Sequence, residues 1–376
     1  MIESVKGARD ILPGEIERWQ LVEETARRVF GLYGFEEIRT PIFESTELFQ
    51  RGIGESSDIV AKEMYTFNDR KGRSLTLRPE NTAPVMRAYL QHGMQRGSDV
   101  TRLYYVGAMF RYERPQKGRM RQFHQIGVEA IGSNHPAIDA ETMEMLMRFL
   151  ASIGLEGLRL VLNSVGCPTC RPAYREALVR FLEPAADALC SDCRRRLVVN
   201  PLRCFDCKVP ADRERMNEAP SIQDHLCAEC HEHFDHVRSY LDEYGVNYRL
   251  DPRLVRGLDY YRRTAFEVVV EELGAQNALL GGGRYDGLAQ ELGGPPVPGF
   301  GFAIGEDRLV TTLKPGGAAE RGSPDLFVVT LSEQGVARGL ALARTVRETG
   351  RSVLVDPVLH RSLKSQMRRA NDLRAR

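Results

Sequence analysis

Residues 110–123 read Phe-Arg-Tyr-Glu-Arg-Pro-Gln-Lys-Gly-Arg-Met-Arg-Gln-Phe, and this stretch decides how the fold is interpreted. It lies between two apolar, strand-like runs, Leu103–Phe110 and Gln125–Ile131, and it contains Pro115 and Gly118. Two such runs joined by a short loop with turn-forming residues are typical of an antiparallel hairpin. The stretch therefore predicts a hairpin within an antiparallel sheet.

This hairpin is strongly cationic. Against the single carboxylate of Glu113 stand five positive side chains, Arg111, Arg114, Lys117, Arg119 and Arg121. Guanidinium groups suit phosphate oxygens, and an aromatic ring with a carboxylate suits the face and the exocyclic amine of a purine. Taken alone, the segment fits nucleotide binding and also fits a solvated basic hairpin, which is the usual fate of a charge run.

Outside the hairpin, the apolar periodicity predicts helices packed on the sheet. Residues 15–34 carry apolar positions at helical spacing, and Thr82–Leu90 and Asp139–Ile153 are also interpreted as helices. Further strand-like runs are Glu37–Ile42, Met64–Phe67, Ser74–Leu77, Tyr248–Leu250 and Ala265–Val270. Because hairpin-sized loops separate the strands, the pattern predicts an α+β fold, an antiparallel sheet flanked by helices.

Length and composition restrict the class of protein. A chain of 376 residues exceeds what one hydrophobic core usually serves, so two or three domains are expected. Hydrophobic residues make up 42% and charged residues 27%, as in globular proteins, and no membrane span or secretory signal is expected. With a net charge of +1, any contact with nucleic acid must use local patches. We expect a cytoplasmic protein.

The segment 166–246 differs from the sequence around it. It is helical and Arg-rich, and it contains all 8 cysteines of the chain. They form Cys-x-x-Cys pairs at Cys167/Cys170, Cys190/Cys193, Cys204/Cys207 and Cys227/Cys230. Since the sheet-like pattern resumes after residue 246, we interpret the segment as an insertion into one domain.

The spacing of these cysteines lets two thiolates reach one tetrahedral metal ion. One or two Zn²⁺ sites, each of four thiolates, are therefore predicted. Zinc would also stabilise a small subdomain that lacks a large core. The alternative is a set of reduced, structural thiols, because nothing in the sequence indicates export and a disulfide framework. The sequence leaves the pairing of the four motifs open.

The C-terminal part reads as a separate small domain. Residues 314–324 have the composition of a linker. Beyond them, Leu326–Leu331 is interpreted as a strand, Gly335–Thr349 as a helix and Ser352–Val355 as a second strand, which predicts a βαβ opening. The chain then ends in a basic helical stretch, Ser362–Arg376, with no returning strand, so this domain is expected to be incomplete.

Two other motifs place polar groups where a small molecule could meet them. Glu80 and Thr82 end a strand at a turn and could hold an ammonium group; the alternative is a helix start capped by Asn81 or Thr82. Gln125 and Glu129 share one face of a strand by period-two alternation. They could contact a ligand lying over the sheet, or they could form a solvent-facing edge.

Glycine marks three more candidate sites. Arg256 precedes a glycine, which suggests a backbone that passes close to a ligand, and Tyr260 and Tyr261 would point to opposite faces of a strand, so that one lines a pocket while the other packs. Gly281–Gly287 is a glycine-rich turn without a Walker or dinucleotide pattern. Small residues from Gly299 onward would let a nucleotide lie flat on the sheet beneath Arg308.

Together and in this order, the motifs resemble the class II aminoacyl-tRNA synthetases, and the histidyl-tRNA synthetase family in particular. Arg-x-Glu, a loop and Arg-x-x-x-Phe, here Arg111–Phe123, is similar to motif 2 of the class. The other matching segments are Gly7–Asp10, Pro41 at the motif 1 position, Arg78–Thr82, Arg256–Tyr261 and the motif 3 segment Gly301–Arg308. The resemblance covers essentially residues 5–373.

The resemblance implies sites for histidine, ATP and tRNA. The residues implied for histidine are Glu80, Asn81, Thr82, Gln125, Glu129, Tyr260 and Tyr261, with Glu80 and Thr82 at the α-amino group and Glu129 and Tyr261 favoured for the imidazole. Those implied for ATP are Arg111, Glu113, Arg119, Arg121, Phe123 and Arg308. Arg111 and Arg256 would be the catalytic cations at the α-phosphate, and Arg114, Gln116 and Lys117 would reach the acceptor end of tRNA.

The implied function is that of a histidine–tRNA ligase. L-Histidine and ATP, with Mg²⁺ on the outer phosphates, would give histidyl-adenylate and pyrophosphate, and the histidyl group would pass to the 3′ end of tRNA(His). Motif 1 implies a homodimer. The alternative is a non-catalytic, synthetase-like regulatory subunit of ATP phosphoribosyltransferase, a histidine-sensing module without an anticodon domain. The presence of the residues implied for ATP favours the ligase.

The same resemblance implies a domain plan. Residues 1–165 and 247–313 would form the class II catalytic core, 166–246 the Cys-rich helical insertion, 314–324 the linker and 325–376 a partial anticodon-binding α/β domain. Because of its arginine clusters, the insertion is expected to contact the tRNA backbone.

Overall fold

The computed structural model describes residues 2–54, 57, 59–113, 120–256, 260–270, 278–313, 323–357 and 361–375. The helices are α1 (Ile16–Leu32), α2 (Thr46–Ile53), α3 (Thr82–Gln91), α4 (Pro136–Ser152), α5 (Arg171–Leu182), α6 (Ser191–Val199), α7 (Pro210–Met216), α8 (Ala228–Glu243), α9 (Leu288–Glu291), α10 (Glu306–Thr312), α11 (Glu333–Glu348) and α12 (Leu363–Asp372). The strands are β1 (Glu36–Glu37), β2 (Phe43–Ser45), β3 (Tyr65–Asn68), β4 (Ser74–Leu77), β5 (Thr101–Phe110), β6 (Gln122–Ile131), β7 (Leu158–Ser164), β8 (Tyr248–Leu250), β9 (Arg262–Val270), β10 (Ala278–Arg284), β11 (Gly299–Gly305), β12 (Leu326–Val328) and β13 (Val353–Val355).

The main sheet has eight strands in the order β1-β5-β6-β11-β10-β9-β7-β8. Neighbouring strands are antiparallel except in the pairs β1–β5 and β7–β8. The predicted hairpin is present, with Met109 opposite Phe123 and Gly107 opposite Gln125. The predicted α+β class, an antiparallel sheet flanked by helices, is confirmed.

The two faces of this sheet pack against different helices. On one face, Phe30 of α1 packs against Tyr104 of β5, Phe149 of α4 and Phe302 of β11. On the other face, Tyr105 joins a hydrophobic cluster with residues of α3. Because successive side chains of a strand point to opposite faces, one apolar run on β5 serves both layers. Helices α1 and α4 therefore pack on one face of the sheet, and α3 packs on the other.

The strand predicted over Glu37–Ile42 is wrong in extent. Only Glu36–Glu37 pairs with β5, and a new strand begins at Phe43. Pro41 has no N–H for a ladder. The carbonyl oxygens of Thr40 and Pro41 instead accept hydrogen bonds from Nη1 of Arg78, at 3.0 and 3.5 Å. This segment thus connects the main sheet to the small antiparallel sheet β2-β4-β3.

The Cys-rich segment forms a helical layer with its own core. Helices α5 to α8 follow one another, and Tyr174, Leu178, Leu182 and Met216 are buried together with cysteine side chains. After α8 the chain returns to the main sheet as β8, which pairs in parallel with β7. The insertion therefore begins and ends beside the same strand.

The chain divides into two compact units, residues 1–11 with 19–317 and residues 12–18 with 318–376. In the smaller unit, β12 and β13 are parallel and α11 lies between them in the chain, so the predicted βαβ opening is present. Gly339 of α11 lies where a Cβ would come within 3.1 Å of Val328 and 3.3 Å of Val355, which lets the helix pack closely on these strands. Among the helices of the described residues, none combines the length and the apolar character that a membrane crossing requires.

Candidate active site

A cavity of about 320 Å³ lies on the face of the main sheet opposite α1. Strands β5, β6, β9, β10 and β11 and the start of α3 contribute to it. The polar and aromatic residues that line it are Glu80, Thr82, Tyr105, Arg111, Gln125, Arg256, Tyr260, Tyr261, Glu267, Tyr285, Phe302 and Arg308. Carboxylate and guanidinium groups therefore line the same cavity.

Among the residues that line the cavity, Glu80 and Thr82 are positioned by the start of α3. The Glu80 carboxylate accepts the N–H groups of Thr82, at 2.7 Å, and Ala83, at 3.1 Å. Asn81 occupies the N-cap position, as in the alternative given from the sequence, but its side chain makes no capping bond; Glu80 satisfies the first donors of this helix instead. Burial raises the pKa of Glu80, and these two N–H groups oppose the rise.

Glu129 lies one layer below the cavity. Its Oε1 accepts the Thr82 hydroxyl at 2.7 Å, and its Oε2 accepts the Tyr285 hydroxyl at 2.5 Å. A Cβ at Gly301 would stand 2.2 Å from Oε2, so the glycine on the neighbouring strand leaves room for this carboxyl group. Burial raises the pKa of Glu129 to about 8. Glu129 therefore supports two residues of the cavity wall.

Gln125, like Tyr105 and Arg256, contributes to the cavity lining a buried polar atom that has no hydrogen-bond partner among the described residues. Its side chain is buried, and its Oε1 has no hydrogen-bond partner within the part of the chain that the structure describes. An unpaired buried carbonyl oxygen is costly. A ligand ammonium or N–H donor would satisfy it.

The two tyrosines of the Arg256–Tyr261 motif depart from their predicted arrangement. They precede β9 rather than lying on a strand, and both line the cavity. Their rings are 4.8 Å apart with an interplanar angle of 51°. The expectation that one lines the pocket while the other packs is wrong, because residues outside a pleated strand do not alternate faces.

Arg256 is fixed on the cavity wall by β9 and β10. Its Nη1 donates to the Glu267 carboxylate, and its guanidinium lies 5.8 Å from the centre of the Tyr261 ring. A Cβ at Gly281 would come within 2.4 Å of this guanidinium. Only glycine at that position of β10 permits the arginine to lie against the sheet.

Arg111 brings the base of the cationic hairpin to the cavity. Its Nε donates to the Pro79 carbonyl oxygen at 2.9 Å, and its guanidinium lies 5.3 Å from the centre of the Phe123 ring. The backbone N–H of Arg111 also donates to the Arg121 carbonyl at 2.9 Å, so the two arms of the hairpin remain paired beyond the strands. Arg308, near the start of α10, supplies a third guanidinium to the lining.

Comparison with known proteins agrees with this arrangement. A family model for histidyl-tRNA synthetase matches residues 7–309. The curated histidine–tRNA ligase of Syntrophotalea carbinolica is 52% identical over 376 residues, which cover 100% of this chain and 89% of that protein. The histidine–tRNA ligase of Solibacter usitatus is 53% identical over 377 residues, covering 100% and 90%.

This chain belongs to the histidyl-tRNA synthetase family. The crystal structure of apo histidyl-tRNA synthetase from S. aureus matches it with a TM-score of 0.83 and 41% identity, covering 100% of this chain and 90% of that one. A Bacillus halodurans structure described as an ATP phosphoribosyltransferase regulatory subunit/histidyl-tRNA synthetase is 23% identical with a TM-score of 0.72, so that likeness concerns the fold alone. The family and enzyme class predicted from the sequence, an aminoacyl-tRNA ligase, are confirmed.

Not every residue implied by the resemblance to this family lines the cavity. Glu113, Phe123 and Arg121 lie on the hairpin but outside the described lining; the guanidinium of Arg121 is 4.3 Å from the centre of the Tyr112 ring. Asn81 is also outside the lining, and its Oδ1 accepts the Thr40 hydroxyl at 2.6 Å. Arg114, Gln116, Lys117 and Arg119 lie outside the described residues.

The sequence interpretation assigned no role to three of the polar and aromatic residues that line this synthetase-family cavity. Tyr105 lies across from Gly127, where a Cβ would stand 2.2 Å from the Tyr105 hydroxyl. Tyr285 bonds to Glu129, and Glu267 pairs with Arg256. Tyr285 lies within the glycine-rich segment Gly281–Gly287, which could have pointed to it. The other two lie in ordinary strand sequence and give no local signal.

The cysteines form two groups away from the cavity. One group contains Cys167, Cys170, Cys227 and Cys230, and the other contains Cys190, Cys193, Cys207 and the carboxylate of Asp212. Among the described residues, Cys204 joins neither group. Either group could hold a metal ion, and the second differs from the four thiolates expected from the sequence.

Proposed function

We propose that this protein is a histidine–tRNA ligase that makes histidyl-adenylate in the cavity and then transfers the histidyl group to tRNA(His). The observation that carries the proposal is that two complementary sets of groups line one cavity. Glu80, Thr82 and Gln125 offer hydrogen-bond acceptors, and Arg111, Arg256 and Arg308 offer positive charge. An amino acid needs the first and a nucleotide needs the second.

Histidine would bind with its α-amino group against the acceptors Glu80, Thr82 and Gln125. Glu80 provides negative charge there, while Gln125 Oε1 and the Thr82 hydroxyl oxygen provide further acceptors. Tyr261 would face the imidazole, and Tyr260 would complete the pocket. Glu129 would act on the imidazole through the Thr82 and Tyr285 hydroxyls that it holds. An analogue that lacks an imidazole nitrogen would leave buried polar atoms of the site unpaired. Such a site therefore discriminates strongly against that analogue.

Activation requires the histidine carboxylate to attack the α-phosphorus of ATP in line. ATP enters as its magnesium complex, so Mg²⁺ is part of this substrate. Positioning and preorganised cations account for most of the catalysis in such a transfer. Arg256, held by Glu267, and Arg111, held by Pro79, would meet the α-phosphate. Glu113 and Phe123 would take the adenine, and Arg119, Arg121 and Arg308 would take the remaining phosphates.

The tRNA would approach along the cationic hairpin and the insertion. Arg114, Gln116 and Lys117 at the hairpin tip would contact the acceptor end. On the insertion, Arg194, Arg195, Lys208, Arg213 and Arg215 are exposed. Contacts with phosphates release counterions, so tRNA affinity should fall steeply with salt. A tRNA substrate places the activity in the cytoplasm. Zn²⁺ takes part in neither chemical step of this proposal.

A homodimer is the proposed assembly, through the surface around Pro41. Ile42, Phe43 and Phe67 are 48%, 53% and 45% exposed on and beside the small sheet. Arg78 hydrogen-bonds to Thr40 and Pro41 and immediately precedes the Pro79–Thr82 turn. A dimer that orders this segment would therefore also steady Glu80.

The proposal is tested by histidine-dependent ATP–pyrophosphate exchange. We expect exchange in the full chain and a fall of about 10²–10³-fold in Arg256→Ala, because one preorganised charge contact is lost from the transition state. Histidine binding should change little. The matched control is Arg253→Ala, an exposed arginine three positions earlier that pairs with Asp251.

Two outcomes would count against these assignments. Near-normal exchange in Arg256→Ala would remove that residue from the α-phosphate. Histidine binding without any exchange in the unaltered protein would contradict the ligase and support the histidine-sensing regulatory subunit.

A further inference from the structure

The fold joins cysteine pairs that are distant in the sequence. Cys167 and Cys170 lie at the start of α5, and Cys227 and Cys230 lie at the start of α8. The Sγ atoms of these four residues are all within 4.8 Å of one another. All eight cysteines of the chain are free thiols. The first and last Cys-x-x-Cys motifs of the insertion therefore face each other.

The spacing within this group matches a tetrahedral metal site. The Sγ of Cys167 lies 3.6 Å from that of Cys170 and 3.8 Å from that of Cys227. A zinc ion bound to four thiolates at about 2.3 Å requires an S···S edge of about 3.8 Å. A disulfide would require about 2.05 Å.

Backbone N–H groups already point at these sulfur atoms. The N–H of Thr169 lies 3.3 Å from the Sγ of Cys167, and the N–H of Cys227 lies 3.1 Å from the Sγ of Cys170. Metal-bound thiolates carry charge that such outer contacts stabilise and orient. Thiols that merely filled a core would not need donors directed at them.

The second group repeats this pattern with a different fourth ligand. The Sγ atoms of Cys190 and Cys207 are 3.8 Å apart, and the N–H groups of Cys193 and Val209 point at them from 3.4 Å each. A carboxylate oxygen, Asp212 Oδ2, lies 3.3 Å from the Sγ of Cys207.

The remaining cysteine is a packing residue. The Sγ of Cys204 lies 3.7 Å from the backbone carbonyl oxygen of Cys193, and the side chain is fully buried in the core of the insertion. Carboxylate, like thiolate, is an established zinc ligand. Asp212 thus supplies the fourth ligand of the second group, where the sequence predicted a fourth thiolate.

We propose that the insertion binds two structural Zn²⁺ ions, one through Cys167, Cys170, Cys227 and Cys230 and one through Cys190, Cys193, Cys207 and Asp212. The first ion closes a loop of 60 residues by joining the starts of α5 and α8. The second ion anchors the start of α6 to α7. The core of the insertion is small and contributes little stability by itself. Metal binding would add to the free energy of folding of this segment.

The first ion also supports the active site, a consequence that rests on the proposed function. Arg171 directly follows Cys170 and donates to the carbonyl oxygens of Tyr261 and, at 3.1 Å, Val165. Arg171 also lines, with Arg256 and Tyr261, a second cavity of about 390 Å³. Loss of this ion should therefore release Tyr261 and raise KM for histidine more than it lowers kcat.

The test is metal counting on the full chain by elemental analysis. We expect about two Zn²⁺ per chain, close to one in Cys167→Ser/Cys170→Ser and close to one in Cys190→Ser/Cys193→Ser. Cys204→Ser is the matched control and should retain both. Asp212→Asn should weaken only the second site, measured as faster loss of one zinc equivalent to a chelator.

A second measurement avoids reliance on variants that fail to fold. The unaltered protein, stripped of zinc and reloaded with Co²⁺, should show tetrahedral thiolate–cobalt absorption for two equivalents. Folded protein that takes up neither Zn²⁺ nor Co²⁺ would overturn the proposal, and loss of an ion in Cys204→Ser would overturn the second ligand set. Because metal content is measured without any activity assay, failed pyrophosphate exchange with two bound ions would count against the function alone.

Discussion

Glu129 is a carboxyl group that retains its proton near neutral pH. It is fully buried, and burial raises its pKa to about 8, although the Tyr285 and Thr82 hydroxyls oppose the rise. In the unfolded chain the pKa returns to about 4.5. Between these two values the folded protein binds a proton that the unfolded chain does not. The contribution of Glu129 to stability therefore falls as the pH rises from about 4.5 to about 8.

We expect Glu129→Gln to remove this pH dependence. Glutamine keeps the shape of the side chain but does not titrate, so the free energy of unfolding of the variant should improve relative to that of the unaltered protein as the pH rises. Urea unfolding of the ligand-free protein at about pH 5 and about pH 8 measures the difference. Glu176→Gln, at an exposed glutamate of α5, is the control, and a constant difference for Glu129→Gln across this range would contradict the assignment.

At the scale of elements, β10 acts as a platform for Arg256, the cation proposed at the α-phosphate. Its glycines bring the backbone of the sheet close to Arg256, and a Cβ at Gly281 would overlap the guanidinium. The strand itself pairs with β9 and β11. The absence of a side chain at Gly281 therefore makes room for the Arg256 guanidinium.

Gly281→Ala should leave the protein folded but displace Arg256. A misplacement of about 1 Å can cost about 10²-fold in rate, so pyrophosphate exchange should fall by up to that factor while histidine binding persists. Gly31→Ala in α1 is the control, since its Cβ would meet nothing within 4 Å. Equal activity in both variants would show that Arg256 tolerates the change.

Across the larger unit, one buried ionic network joins the insertion to the main sheet. Asp139 of α4 pairs with Arg284 of β10, and its Oδ2 lies 3.0 Å from Nε2 of His233 on α8. Burial raises the pKa of Asp139, but Arg284 and His233 more than offset this, so the pKa lies below its usual value. The stability that Asp139 contributes is present above about pH 4 and is lost as the pH falls further.

Asp139→Asn should destabilise the protein by about 3–5 kcal/mol at neutral pH, because it leaves Arg284 buried with a weakened partner set. Denaturant unfolding measures the loss, which should shrink in acid. The control is again Glu176→Gln, whose exposed pair with Arg180 is worth less than about 1 kcal/mol. A loss for Asp139→Asn as small as that of the control would rule out a structural role for the network.

The sequence by itself determined the class of the protein and the kind of its elements. Hairpin strands around Arg111–Phe123, the α3 turn at Glu80–Thr82 and the small-residue strand before Arg308 were all predictable, because each depends on residues close together in the chain. Periodicity and turn chemistry are local properties, and they placed most strands within a few residues of their observed bounds.

Only the tertiary structure decided which distant side chains meet. Tyr105, Glu267 and Tyr285 enter the cavity through the register of β5, β9 and β10, which local sequence does not encode. The same holds for the cysteines, because the first Cys-x-x-Cys pair faces the last. It also holds for Asp212, which joins the second group in place of Cys204 because α7 returns to the start of α6. Spacing sets which ligands can share a turn, but the packing of helices sets which turns share an ion.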